Sequence, residues 1–73
     1  MQYEPVASSN IAALAHDPKT DTLGVRFHGG TEYHYEGVSV KIFNSIKGAA
    51  SVGRAFNETI KMKPRDYPYR KVA

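Results

Sequence analysis

Hydrophobic and polar residues alternate along Thr22–Phe27, "TLGVRF", which sets Leu23, Val25 and Phe27 on one face of a β-strand. The stretch "EYHYE" alternates in the same way, with Tyr33 and Tyr35 on one side and Glu32, His34 and Glu36 on the other. Between the two, "HGG" tolerates the positive φ angles of a tight reversal, so residues 22–36 are a predicted hairpin. Upstream, "NIAALAHD" is an apolar run of strand length, closed by the turn residues of "DPKTD". It predicts a third antiparallel strand, and Tyr3 to Val6 can add a fourth.

Beyond Val38 the period becomes helical. Ser39 is a good N-cap, Val38 before it can pack on Phe43, and Ile42, Phe43 and Ile46 form an apolar stripe that Gly48 ends. A second short helix is expected from Ser51, with Val52, Ala55, Phe56 and Ile60 inward and Arg54, Asn57, Glu58 and Lys61 outward, until Pro64 stops it. The pattern therefore predicts an α+β fold, a small antiparallel sheet of three or four strands with two short C-terminal helices packed on one face. Residues 1–61 make the domain. Residues 62–73 read as a basic tail containing proline and tyrosine, extended unless it docks on something.

Size and charge sharpen this picture. A chain of 73 residues without cysteine has a small core and no disulfide or cysteine zinc site to support it, which points to self-association. No apolar run is long enough to cross a membrane, and the start lacks the features of a secretory leader, so a cytoplasmic protein is expected. The net charge is +3, but "KMKPRDYPYRKVA" alone carries five basic groups and one acidic group, +4, leaving the first sixty residues at −1. The positive charge thus belongs to the tail, not to the body.

The chain makes no case for catalysis. Its histidines, His16, His28 and His34, do not recur at metal-ligand spacing, although His16 and His34 can meet across neighbouring strands. The S-S-N segment has no base beside it in sequence, and paired carboxylates with an acid/base division are missing. A binding protein without metal or cofactor is the expectation.

Three pieces in order, "VASSNI", the hairpin end "YHYEGV" and "SVGRAFNETIK", resemble the KTSC domain over residues 6–61. That domain occurs at the C-terminus of some lysyl-tRNA synthetases and free-standing in bacteria and their phages. The family's Y-x-Y falls on Tyr33 and Tyr35, its S-S-N on Ser8, Ser9 and Asn10, and its S-x-G-x-x-F-N on Ser51, Gly53, Phe56 and Asn57. The resemblance implies RNA binding as the suggested role.

From the residues themselves, Tyr33 and Tyr35 are both core rings and ligand candidates, their hydroxyls free to reach a rim. The start of the second helix, with Ser51, Gly53 and the guanidinium of Arg54, is a candidate phosphate site. Ser8, Ser9 and Asn10 either tie down the first long strand or lend polar groups to a pocket. In the tail, Arg65, Tyr67, Tyr69, Arg70 and Lys71 combine cations with rings, as phosphate contacts or as a strap across another subunit. The expected function is a non-enzymatic module binding a phosphate-bearing ligand, RNA or a nucleotide. Two alternatives stay open: a homo-oligomer, for instance phage-encoded, that sequesters a cyclic nucleotide or similar anion, and a protein-interaction module.

Overall fold

The computed structural model describes all residues, Met1–Ala73. Five antiparallel strands form one sheet in sequence order: β1 (Glu4–Pro5), β2 (Ile11–Asp17), β3 (Thr22–Phe27), β4 (Glu32–Tyr35) and β5 (Tyr69–Lys71). Helix α1 spans Val40–Lys47, and α2 spans Val52–Phe56 and runs on into a π-helical segment, Asn57–Lys61. The α+β class holds, but the count of three or four strands does not. The fifth strand comes from the supposed tail, which returns after Pro64 and pairs with β4. Its strand form comes from backbone pairing with β4, which sets Tyr69 and Lys71 on the covered face and Arg70 on the other.

The central hairpin is in the expected register, with Leu23 opposite Tyr35 and Val25 opposite Tyr33. Its loop closes through the Phe27 amide on the Thr31 carbonyl at 2.9 Å, and Gly30 takes a φ of +96° that a side chain would strain. In β2, Ile11 and Leu14 are both fully buried although they stand three apart, a spacing that simple alternation forbids. A bulge resolves it: the register slips between Ile11 and Ala13, so Ala12 is the extra residue and both large side chains reach one core.

Both helices begin as the pattern predicts. The Ser39 hydroxyl accepts from the Ile42 amide, the Ser51 hydroxyl from the Arg54 amide, and Val38 and Phe43 are buried beside the start of α1. They cover the sheet face that carries Leu14, Leu23, Val25 and Tyr35, and Phe43, Ile46, Val52, Phe56 and Ile60 complete the core. The opposite face is built of small residues in register, Ala15 beside Gly24, and Gly24 beside His34. Tyr3 lies on it: a Cβ on Gly24 would sit 2.8 Å from the Tyr3 Cζ. His16 belongs to the helix-covered face, stacked 5.2 Å from the Phe43 ring with Nε2 2.6 Å from the Val38 carbonyl oxygen. His16 and His34 therefore lie on opposite sides of the sheet and do not meet.

Candidate functional site

Strand alternation sends Tyr33 and Tyr35 to the helix-covered face, and β5 adds Tyr69 opposite Tyr35. The three rings form one cluster, with centroids 6.4 Å apart for Tyr33 and Tyr35, 5.8 Å for Tyr33 and Tyr69, and 5.5 Å for Tyr35 and Tyr69. Phe27 closes one side, edge-on to Tyr33 at 6.0 Å, and Phe56 stands edge-on beneath Tyr35 at 5.3 Å. The i to i−5 bond from the Met62 amide to the Asn57 carbonyl, 3.0 Å, widens the last turn of the helix. Ile60, Lys61 and Pro64 then meet Phe27, Tyr33, Tyr35 and Tyr69 around a cleft of roughly 280 Å³.

Exposure divides the work among these rings. Tyr35 is only 5% exposed, Tyr33 is half-buried and Tyr69 is exposed. None of their hydroxyls has a hydrogen-bond partner within the chain, yet no side-chain oxygen is sealed away unpaired, so the Tyr35 hydroxyl opens toward the cleft. Burial, reinforced by the neighbouring Tyr33 and Tyr69, pushes its ionisation up to about 12. The Tyr35 phenol is thus held neutral at ordinary pH, in a cleft that Lys61 also lines.

The other two hallmark segments meet elsewhere. Ser8, Ser9 and Asn10 face Ser51, Gly53, Arg54 and Asn57 across a wider, polar hollow of roughly 510 Å³ that shares no lining residue with the aromatic cleft. Most of its polar groups are occupied internally. The Ser8 hydroxyl accepts from the amides of Asn10 at 3.3 Å and Ile11 at 3.2 Å, and Ser9 donates to the Asn10 side chain at 2.7 Å. The turn of the hairpin reinforces this, with the His28 ring 2.9 Å from the Ser8 carbonyl and the His28 amide 2.9 Å from that of Asn10. Gly53 packs so near that a Cβ there would lie 3.1 Å from the Ser8 hydroxyl. Its glycine thus serves close packing of the helix start on the S-S-N loop.

Arg54 stands outward, its Nε 3.2 Å from Glu58, with the two side chains 79% and 59% exposed. Such a surface pair contributes little and leaves the guanidinium accessible. The structure therefore separates the expected phenol and phosphate groups into two hollows. In the former tail, Tyr69 joins the aromatic cleft, Tyr67 packs half-buried against the core, Lys71 lies opposite Tyr33, Arg70 opposite His34 on the far face, and Arg65 is exposed without a salt bridge. Lys61, Ile60 and Pro64 went unrecognised as cleft residues. The i, i+4 spacing of Phe56 and Ile60 on the helix marks Ile60 as facing the sheet, whereas Lys61 and Pro64, at and beyond the helix end, carry no such signal.

A family profile for the KTSC domain matches residues 7–63. The chain belongs to the KTSC domain family. An uncharacterized protein of Stutzerimonas stutzeri is 33% identical over 72 residues, which cover 99% of each chain. A protein of Tsukamurella paurometabola is 39% identical over 62 residues, 85% of this chain and 92% of its own. Among solved structures, a crystal structure of a KTSC domain protein from Yersinia pestis superposes with a TM-score of 0.87 at 34% identity, covering 99% of this chain and 97% of that one. The KTSC profile ends before β5, whereas the structural similarity runs through it. The C-terminal strand is part of the fold shared with the Yersinia protein.

Proposed function

We propose that this KTSC domain is a non-enzymatic binding module for a ligand that joins a flat ring to a phosphate, a nucleotide or a stretch of RNA, and that the aromatic cleft receives the ring. The observation that carries the reading is the convergence of Tyr33, Tyr35 and Tyr69 with Lys61 around one small hollow. A cleft of roughly 280 Å³ is at the small end of ligand pockets and suits a single ring system. Stacking a base on an exposed aromatic ring contributes about 1–3 kcal/mol, and a lysine beside it adds attraction for phosphate.

Calorimetric titration with AMP and with octa-adenylate tests it. Saturable binding should be weakened at least tenfold by Tyr33→Ala, on the basis of about 1.4 kcal/mol per decade. Arg54→Ala, on the other hollow, should leave it nearly unchanged. Binding abolished by Arg54→Ala and indifferent to Tyr33→Ala would move the ligand to the polar hollow.

A second reading, a homo-oligomer that sequesters a small cyclic nucleotide or similar anion, draws on the outer edge of β5, a sheet margin that no other strand covers. Native mass separates the two, since the second reading needs more than one chain per particle.

A further inference from the structure

The register of β5 places two adjacent cations on opposite sides of the sheet. Tyr69 lies opposite Tyr35, Arg70 opposite His34 and Lys71 opposite Tyr33. Tyr69 lines the aromatic cleft, so Lys71, two residues along, projects to the same face, and Arg70 projects to the other. The side-chain ion pairs of the protein engage Arg26, His34, Lys47 and Arg54. Lys61, which lines the cleft, and Lys71, which lies opposite Tyr33 on the neighbouring strand, take part in none of these pairs.

We propose that the C-terminal strand completes the binding site, Tyr69 supplying a wall for the ring and Lys71 holding the phosphate attached to it. This rests on the reading of the aromatic cleft given above and adds to it a stated chemistry. The ligand is a nucleoside phosphate, recognised as ring plus phosphate, and not the free nucleoside. The phosphate can belong to a free nucleotide or to a strand, because Lys71 sits on the outermost strand of the sheet, where a chain of nucleotides has room to leave. Lys61 is the second contact, on the helix side of the same hollow.

Arg70 makes the test sharp. Lys71→Ala and Arg70→Ala remove the same charge from neighbouring exposed positions of one short strand, yet only Lys71 faces the rings. Full-length wild type and both variants are titrated calorimetrically with adenosine, AMP and octa-adenylate, with folding checked by circular dichroism. Wild type should prefer AMP to adenosine. Lys71→Ala should weaken AMP about three- to fivefold, the range of an exposed charge contact, and leave adenosine unaffected, whereas Arg70→Ala should change neither. Octa-adenylate tighter than AMP assigns the phosphate to a strand, and equal affinity assigns it to a free nucleotide.

Equal losses in both variants would mean that the basic end acts only as diffuse charge, which overturns the assignment of Lys71 while the ring cleft stands. Equal affinity of wild type for adenosine and AMP would overturn it too. A Tyr69→Ala variant that binds as wild type would overturn the role of the strand while the cleft stands; if no probe binds, or if binding ignores Tyr33→Ala, the cleft reading itself fails and this inference falls with it.

Discussion

At the scale of single residues, a connected polar cluster lies on the sheet face away from the helices. The Tyr3 hydroxyl donates to Glu32 at 2.7 Å, Arg26 donates to the other carboxylate oxygen at 3.2 Å, and His34 stands 3.6 Å away. The Arg26 guanidinium also lies 4.1 Å over the Tyr3 ring. The Tyr3 hydrogen bond, helped by Arg26, holds the Glu32 carboxyl below the usual range, and burial and the same bond hold the Tyr3 phenol well above its own. A carboxyl depressed in the folded state contributes stability that is complete above the ordinary glutamate range and is lost as pH falls through it. Thermal melts of wild type and Glu32→Gln should therefore differ most near neutrality and converge between about pH 5 and pH 3. A gap that stays constant over that interval contradicts the role given to Glu32.

Tyr35 works in the opposite sense. Its neutral form is favoured by the fold, so its contribution is complete below the ordinary tyrosine range and fades as pH climbs toward 12. Tyr35→Phe should resist alkaline unfolding better than wild type between about pH 10 and pH 12, read by circular dichroism. An unchanged alkaline midpoint would show that another group controls it. From sequence, the two tyrosines of the hairpin could be placed on the helix side because the other side carried only charge and histidine. Their different exposures depend on Phe56 and Tyr69, which arrive from distant parts of the chain.

Elements show where local pattern sufficed and where it failed. The hairpin, both N-caps and the stop at Gly48 were legible because alternation, capping hydroxyls and glycine act within a few residues. Strand β5 was not. Three exposed residues carry no apolar alternation, and their strand form comes from backbone pairing with β4 over a separation of more than thirty residues. The split of the candidate residues into two hollows was invisible for the same reason, since it depends on which edge of the sheet each end of the helix pair faces.

Two substitutions test the elements. Gly24→Ala brings a Cβ to 2.8 Å from the Tyr3 Cζ, so the Tyr3 ring must shift and strain its bond to Glu32. A loss of about 1–2 kcal/mol, an overpacking penalty, should lower the melting temperature by roughly 5–15 °C in a domain of this size. Melting at the wild-type temperature with Tyr3 still in place would contradict the close contact. Ser51→Ala should cost about 1 kcal/mol by removing the cap from Arg54, and Ser51→Asp should restore most of it. Both should bind AMP as wild type does. A loss of affinity in the well-folded Ser51→Asp protein would make Ser51 a ligand contact after all.

For the whole molecule, the distribution of charge matters more than its sum. The acidic balance of the first sixty residues and the basic end meet at the sheet edge, where β5 brings Tyr69 and Lys71 beside the ring cluster. On the proposed reading, attraction for phosphate is thereby concentrated next to the aromatic cleft instead of being spread over the body. Affinity for octa-adenylate should fall with added salt, with a slope set by the few phosphates that basic side chains reach.

The measurement closest to the central claim is a two-dimensional NMR titration of isotope-labelled full-length protein with AMP, because it reports both hollows in one experiment. The shifts should gather at Phe27, Tyr33, Tyr35, Ile60, Lys61, Tyr69 and Lys71, with Ser8–Asn10 and Ser51–Asn57 nearly still. Shifts confined to those two polar segments, or none at any attainable AMP concentration, would contradict it.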